Sequence, residues 1–320
     1  MNIEDMFEAG SYKPEFHPDV DLVLQVARKG EQETTLAVLN GSTIREFGPF
    51  PYHSDVVTAV GGQIYVARGE PADNPQWHAL VPVAGGDPLV KVAGQINFAG
   101  VINGDLCHVI SGDGAAVYLV ESLVQPHGLI VAQDHALSSP QTFLMGPGAF
   151  WIRGTRQVRE FGGTKSFLAP INAGVSAYQL GVACFGNDGI PYAAVYPEVG
   201  RKPATGIVEV HQLHPEPDPA GYDGSPSQIF ADLACNVPTG LSSTSSDQHG
   251  PLSNGIRFLH VRDDGKTFYA ALGDDSYTVM RLRPDERAIA EPEVILRLKP
   301  EFYLSRMAFF DKGVLAERLS

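Results

Sequence analysis

The sequence has few long apolar runs, few basic residues and few cysteines, and each shortage argues against a class of protein. No run of about 18 uncharged apolar residues occurs, so no membrane span is expected. The 23 Lys and Arg residues are scattered among 37 Asp and Glu, and the net charge of −14 argues against a nucleic-acid partner. The three cysteines are far apart and form no CxxC pair, which argues against a zinc site or a disulfide framework.

Catalytic and metal-binding motifs are missing as well. There is no GxSxG nucleophile elbow, no HExxH pair and no complete EF-hand loop. The segment "STSSDQHG" places Ser246, Asp247 and His249 close together in sequence, but catalytic triads draw their members from distant positions. We therefore interpret this segment as a polar loop, and the sequence predicts no catalytic residue, no metal ligand and no cofactor.

The first 20 residues are polar and lack the features of an export signal. "MNIEDMFEAGSYKPEF" has acidic residues where a signal peptide has a basic patch and an apolar core, which predicts synthesis in the cytoplasm. A few apolar residues without periodicity are typical of segments that order on binding. Residues 1–20 are therefore predicted to be an N-terminal arm that docks on a neighbouring subunit, and residues 21–320 a single domain.

What the sequence has in abundance is glycine and proline among short β-branched runs, with almost no helical periodicity. The 34 Gly and 24 Pro residues predict many strands and tight turns. Apolar runs flank a Gly-containing turn six times, and such glycines supply the positive φ that hairpins need. The turn glycines are Gly62, Gly104, Gly148, Gly189, Gly265 and Gly313. Their successive spacings are 42, 44, 41, 76 and 48 residues, which indicates a repeat.

Two further strand-like segments follow most of these hairpins, so each unit has four short strands. Four strands in about 40 to 50 residues are typical of a β-propeller blade. We predict an all-β, six-bladed propeller in which N-terminal strands pair with C-terminal strands to close the ring. The segments 21–28, 34–40 and 42–47 provide one strand more than this closing blade needs.

The 76-residue interval contains long segments that are rich in Pro, Gly, Ser and Asp. Loops of this length in a compact domain are usually functional or disordered. Residues 197–254 are therefore predicted to form long excursions around the strands "GIVEVHQL" and "QIFADLA", and these excursions are predicted to bind another protein. The candidate interaction residues are Tyr222, Asp223, Ser246, Asp247 and His249.

One hairpin, "DDGKTFYAAL" at 263–272, resembles the repeat hairpin of YVTN and lactonase-like propellers. With Val261 it also partly resembles the Asp-box of sialidases, through Asp263, Gly265, Thr267 and Phe268. Both motifs are structural turns, so the resemblance implies the fold rather than an activity. Six-bladed lactonase-like enzymes hold a divalent metal in the central channel with acidic and amide side chains. The residues of those types in this sequence are Asn97, Asn103, Asp105, Asn187, Asp188 and Asp311, most of them in predicted turns.

These features favour a non-catalytic β-propeller that acts as a structural or interaction protein in a larger assembly. The predicted partners are other protein subunits, contacted through the arm and the 197–254 excursions. A bacteriophage tail is an assembly of this kind. The alternative is a metal-dependent lactonase-like or glycan-processing hydrolase with its site at the central channel.

Overall fold

The structure is a computed structural model. It describes residues 3–51, 57–70, 77–92, 95–102, 105–111, 116–120, 129–133, 142–144, 149–152, 157–160, 166–168, 180–185, 191–195, 207–217, 226–238, 256–262, 264–273 and 276–316. These residues form 24 β-strands and two short 3-10 helices, Ile3–Met6 and Pro14–Phe16. The predicted all-β class is confirmed. No helix in the described residues is long and apolar enough to cross a membrane.

The chain divides into two compact units. The first unit comprises Met1–Met6, His17–Thr142 and Glu301–Ser320. The second unit comprises Phe7–Phe16 and Phe143–Pro300. In the described part of the chain each unit is built from four-stranded antiparallel sheets.

The first unit contains three sheets. Its first sheet has the order β24-β1-β2-β3, with β1 at Val20–Arg28, β2 at Glu33–Asn40, β3 at Thr43–Pro51 and β24 at Phe302–Asp311. Its second sheet runs in chain order through β4 (Val57–Val60), β5 (Gln63–Glu70), β6 (Trp77–Pro82) and β7 (Val90–Val92). Its third sheet consists of β8 (Gln95–Ile102), β9 (Asp105–Ser111), β10 (Ala116–Val120) and β11 (Leu129–Gln133).

The second unit also contains three sheets, each with its strands in chain order. One consists of β12 (Thr142–Leu144), β13 (Ala149–Ile152), β14 (Gln157–Glu160) and β15 (Ser166–Leu168). The next consists of β16 (Leu180–Phe185), β17 (Pro191–Val195), β18 (Ile207–Pro217) and β19 (Pro226–Pro238). The last consists of β20 (Ile256–Val261), β21 (Phe268–Gly273), β22 (Tyr277–Leu282) and β23 (Glu293–Arg297).

The first sheet joins the two ends of the sequence. Strand β1 pairs antiparallel with β24 from Val20–Asp311 to Arg28–Phe302. Three N-terminal strands and one C-terminal strand make this sheet. The third N-terminal strand, one more than the closing blade was predicted to need, is its edge strand β3. The second strand predicted after Gly313 is wrong for its first three residues, because 314–316 form no strand, and residues 317–319 lie outside the described residues. Instead the Ala316 amide donates a hydrogen bond to the Gly62 carbonyl at 2.9 Å.

The hairpin turns use left-handed glycines where they are described. Gly62, Gly265 and Gly313 have φ values of +74°, +61° and +85°. The other three predicted turn glycines, Gly104, Gly148 and Gly189, lie outside the described residues. In the turn before β21, the Asp264 carboxylate accepts hydrogen bonds from the Lys266 amide, the Thr267 amide and the Thr267 hydroxyl, each at 2.8 Å. Asp264 therefore fixes this turn, whereas Asp263, which fits the Asp-box pattern, lies outside the described residues.

The best described core lies between the sheets β16–β19 and β20–β23. Both central strands of the last sheet, β21 and β22, are buried along their whole length. Continuous apolar sequence such as "FYAAL" is expected where both faces of a strand are covered. Phe268, fully buried, meets Tyr192 of β17 edge to face with ring centroids 5.7 Å apart. In the first unit, Val23, Leu36 and Val38 pack with Ile64 and Val66 of the second sheet.

The N-terminal arm lies along the outer edge of β23. Phe7 forms a bridge with Leu298, the Glu8 amide donates to the Arg297 carbonyl at 2.9 Å, and the Lys13 amide donates to the Ile295 carbonyl at 2.7 Å. Ser11 completes this contact, since its hydroxyl accepts a hydrogen bond from the Arg297 amide at 3.2 Å. An exposed sheet edge is a template for unwanted pairing. Residues 7–13 therefore cover that edge within the same chain.

Candidate functional site

A row of polar side chains crosses one face of the sheet β20–β23. His260 lies opposite Tyr269 in the register, and Tyr269 lies opposite Arg281. Arg281 in turn lies opposite Glu293 on β23. Directly opposed residues in antiparallel strands share one face, so these four side chains are neighbours. Tyr269 is 1% exposed and Arg281 7%, so the middle of the row is buried.

The strongest contact in the row is an ion pair. Arg281 Nε lies 2.6 Å from Glu293 Oε2, and Arg283 donates to the other oxygen of the same carboxylate at 3.0 Å. The hydrogen bond from Arg281 is the main cause that lowers the pKa of Glu293. Burial alone would lower the pKa of Arg281, but the Glu293 carboxylate and the Tyr269 hydroxyl outweigh it and raise that pKa.

The arm closes the outer end of this row. The Arg281 guanidinium lies 5.6 Å from the centroid of the Phe16 ring. Cation–π contacts of this length are favourable, more so where water is excluded. Beside it, burial is the main cause that raises the pKa of the Tyr12 hydroxyl, and Glu15 adds to the effect. Arm, strand β22 and strand β23 are thus held together around one buried guanidinium.

This arrangement is suited to holding strands together rather than to chemistry on a substrate. The positive charge of Arg281 is already matched by Glu293, so the row does not offer a free cation to an anionic ligand. The sequence reasoning missed the row entirely. The signal was available: "YTVMRL" has one arginine in an otherwise apolar strand, and such a residue needs a carboxylate on a neighbouring strand.

A second feature is the extension of β18 and β19 beyond the rest of their sheet. Strand β17 pairs with β18 only as far as Tyr192–Gln212. The pairing of β18 with β19 continues for five further rungs, from Leu213–Ala231 to Pro217–Pro226. We call residues 213–217 and 226–231 the ribbon. In the described part of the chain no third strand pairs with these five rungs, and an unpaired strand edge can accept another strand.

Exposed apolar and acidic residues adjoin the base of the ribbon. Leu233 of β19 is 42% exposed, and Ile289, in the loop between β22 and β23, is 52% exposed. Asn236 lies three residues after Leu233 on β19 and forms a parallel bridge with Ile289. Its backbone amide donates a hydrogen bond to the Ala288 carbonyl at 2.8 Å. Asp232 and Glu209 are exposed beside them. Asp285 fixes the loop, accepting hydrogen bonds from the Arg287 and Ile289 amides.

His211, on the central strand β18, is buried next to this surface. Its Nε2 lies 2.8 Å from Glu209 Oε2, two residues away on the same face of the strand. Its Nδ1 has no hydrogen-bond partner among the described atoms. In the described part of the chain, no three His, Cys, Asp or Glu residues come together as metal ligands.

The two described cysteines, Cys184 and Cys235, are free thiols. Burial is the main cause that raises the pKa of both, and it raises that of Cys235 to about 12. A thiol with a raised pKa is a poor nucleophile at neutral pH. Cys235 is fully buried in the core of the second unit, with Cys184 packed against that core.

The predicted interaction residues all lie outside the residues that the structure describes. Tyr222 and Asp223 belong to segment 218–225, which joins β18 to β19 in sequence, and Ser246, Asp247 and His249 belong to 239–255; both segments lie outside the described residues. Among the residues of the lactonase-like metal hypothesis, only the side chain of Asp311 is described, at the end of β24. The residues Asn97, Asn103, Asp105, Asn187 and Asp188 are therefore not brought together or separated by any observation.

Comparison with known proteins gives matches in structure only. No protein-family model matches the sequence, and no curated protein is similar to it. TolB from Acinetobacter baumannii aligns with 88% of this chain and 63% of its own, at 13% identity and a TM-score of 0.50. The chain folds as a β-propeller. This confirms the propeller prediction at the level of the fold.

Two further structures align with this propeller over most of its length. A candidate 6-phosphogluconolactonase from Bacteroides uniformis covers 88% of this chain and 83% of its own, at 10% identity and a TM-score of 0.45. The Cps50 (Swd1) β-propeller domain from Myceliophteria thermophila covers 84% of this chain and 81% of its own, at 9% identity and a TM-score of 0.42. Likeness at such identities concerns the path of the backbone and not the side chains of a site.

Proposed function

We propose that the protein is a non-catalytic interaction module, a propeller that holds partner proteins in a larger assembly. The observation that carries this proposal is the ribbon, where β18 and β19 stay paired for five rungs beyond the last described pair of β17 with β18. Exposed Leu233 and Ile289 lie at its base. The arm contributes through its exposed residues Lys13 and Glu15, since its apolar residues Met6 and Phe7 are buried within the chain.

We also infer that the six sheets are six blades of one closed ring. Four strands in each sheet and the pairing of β1 with β24 support this inference. Closure removes sheet edges, which an open row of sheets would leave exposed. Small-angle X-ray scattering tests it: a ring gives the compact radius of gyration of a single globular body. A distance distribution with two separate maxima would contradict the closed ring.

The assembly that we propose is a bacteriophage tail. The free thiols Cys184 and Cys235 suit a protein that is folded in a reducing bacterial cytoplasm. The test is mass spectrometry of purified virions from the host that carries the gene, together with the identity of the adjacent genes. Capsid and tail genes alongside, and this chain in the particle, are the expected result. Its consistent absence from such particles would overturn the virion part of the proposal.

Shortening the ribbon tests the interaction function itself. Gln212 and Asp232 are paired in the register, so residues 213–231 can be replaced by Asn-Gly, which forms a two-residue hairpin turn. We expect the shortened chain to keep its circular dichroism spectrum and melting temperature, but to be lost from the assembly. A shortened chain that enters the assembly as efficiently as the full chain would contradict the role of the ribbon.

Metal and activity measurements separate this function from the enzymatic alternative. Elemental analysis of the purified chain is expected to find no divalent ion at one equivalent, and lactone substrates are expected to stay intact. A stoichiometric divalent ion whose removal lowers the melting temperature, or turnover of a lactone or glycan, would overturn the non-catalytic function.

A further inference from the structure

We propose that the outer edge of β19, from Ser227 to Leu233, binds a basic, extended segment of a partner protein by strand addition. The inference deepens the interaction function proposed above and rests on it. In strand addition, main-chain hydrogen bonds provide affinity, and pockets for alternate side chains provide specificity.

Among the described residues, no strand pairs with the outer edge of β19 over this range. On that side, the described backbone of β19 makes one hydrogen bond outside its own sheet, from the Asn236 amide to the Ala288 carbonyl. The edge strand β23 has an equivalent position in its sheet, and there the arm makes three backbone or hydroxyl contacts. The described residues thus cover the edge of β23, whereas on the outer edge of β19 they form a backbone hydrogen bond only near its C-terminal end.

The two edges of the ribbon differ in their capacity to accept a strand. Beyond Gln212, strand β18 contains Pro215 and Pro217. A proline fits a β-ladder only where its missing amide faces away from the paired strand, so these residues remove donors from the outer edge of β18. Strand β19 has prolines only at its two ends, Pro226 and Pro238. An added strand can therefore hydrogen-bond along β19 and not along β18.

The contact at Asn236 marks where the added strand would begin. Ile289 already pairs with Asn236 in a parallel bridge, as the first rung of a fifth strand that goes no further. Leu233, three residues before Asn236 on β19, is 42% exposed, and Ile289, the bridge partner of Asn236, is 52% exposed. An aliphatic side chain on the incoming segment would cover them, since burial of apolar surface is favourable.

Charge identifies the occupant as basic. Strands β18 and β19 contain three acidic residues and no Lys or Arg: Glu209, Glu216 and Asp232. The two nearest described arginines of the loop are already matched, Arg287 by Asp285 and Arg283 by Glu293. A second copy of this chain carries a net charge of −14 and is repelled. A partner segment with alternating basic and aliphatic residues fits the edge.

The test uses the full chain and a labelled peptide of about seven residues that alternates Lys and Val, which matches the length of the open edge. Fluorescence anisotropy measures binding, and hydrogen–deuterium exchange locates it. We expect saturable binding that weakens with salt, and slower exchange of the amides in 227–233. The Leu233→Lys variant is expected to bind the peptide about tenfold more weakly or worse. Val314→Lys, at an equally exposed position in the other unit, is the matched control and is expected to bind normally.

Two further peptides separate the parts of the proposal. A Glu/Val peptide that binds equally well would overturn the basic occupant. A Lys/Val peptide that is N-methylated on its bonding edge and still binds would overturn strand addition. Absence of binding, or protection outside 227–238, would also overturn the proposal. If the shortened ribbon nevertheless abolishes assembly, the interaction function stands and only the use of this edge is refuted.

Discussion

Lys312, just after β24, and Asp21 of β1 form an ion pair in the first sheet. Asp21 is fully buried near the start of β1, and Lys312 Nζ lies 2.6 Å from its Oδ1. The ammonium also contacts the Asn40 side-chain oxygen on β2. The second oxygen of Asp21, Oδ2, has no partner among the described atoms. Removing the ammonium would therefore leave a buried carboxylate without its counter-charge.

Lys312→Met is expected to lower the free energy of unfolding by about 2–3 kcal/mol. This is less than the loss expected when one partner of a fully buried ion pair is removed, because the Lys312 side chain is one-third exposed. Urea denaturation measures the loss. The double variant Asp21→Asn/Lys312→Met is expected to recover part of it, since no buried charge remains. Lys266→Met, on an exposed turn, is the control and should change stability by less than about 0.5 kcal/mol. Equal effects of the two lysine variants would contradict the role of the pair.

The lowered pKa of Glu293 leads to a prediction about the pH dependence of stability. Because its pKa is lowered in the folded protein, it contributes stability that is fully present above its ordinary value of 4.5. That contribution is lost as the pH falls from this value through the folded pKa. Glu293→Gln is therefore expected to cost about 2 kcal/mol at neutral pH, and the difference from wild type should shrink in acid. Urea titrations at a series of pH values measure it, and a difference independent of pH would contradict the ion pair.

Individual residues show what sequence can and cannot specify. The left-handed conformation of Gly62 and Gly265 could be predicted because a turn between two apolar runs needs a positive φ. The partner of Arg281 could not, since Glu293 is brought opposite it by strand pairing and not by spacing. Likewise, the sequence places two aspartates side by side in this turn, and it could not show that the Asp264 carboxylate accepts hydrogen bonds from the Lys266 and Thr267 amides.

At the scale of elements, the arm is an edge cover, and its removal has a specific expected result. Without residues 1–13 the carbonyls of Ile295 and Arg297 lose their donors, and the edge of β23 becomes available to other chains. We expect the truncated protein to melt at a lower temperature and to form concentration-dependent oligomers. Light scattering after size-exclusion chromatography measures them.

A single substitution in the arm serves as control for the truncation. Ser11→Ala removes one hydroxyl that bonds Arg297 and should cost about 1 kcal/mol without self-association. A truncated protein with unchanged stability and elution would show that the arm does not protect the edge. The arm was predictable as a separate polar segment. Its contact with β23 was not, since residues such as Ser11 and Arg297 that meet there are 286 positions apart in the sequence.

At the scale of the whole molecule, the pairing of β1 with β24 makes the first sheet depend on residues from both ends of the sequence. A chain that ends at Pro300 would lose β24 and leave β1 as an edge strand next to a core that includes Val23 and Leu36. We expect the amides of β1 and β2 to lose protection from hydrogen exchange, while those of β21 and β22 retain it. Persistent protection of β1 in this chain would contradict its dependence on β24.

The propeller was predictable because its signals are local: short apolar runs, glycine turns and a period near 40 residues. The composition of the first sheet was not, since the sequence offered three N-terminal strands and a C-terminal hairpin for four places. In the structure the N-terminal segment supplies three of the four strands and the C-terminal segment supplies one. The strands of the ribbon were predicted in part, as "GIVEVHQL" and "QIFADLA" within a long insertion. Their continuation beyond the sheet was not predictable, because the length of a strand pair depends on partners distant in sequence.

The same pairing determines how the molecule responds to mechanical load. Val20 pairs with Asp311 and Arg28 with Phe302, so the chain leaves both strands at the same end of the ladder. Tension between the segments before Val20 and after Asp311 would therefore peel the two strands apart one hydrogen bond at a time, instead of shearing all of them together. Lys312 and Asp21 lie at the end where peeling starts, and their ion pair would be the first contact to bear the force.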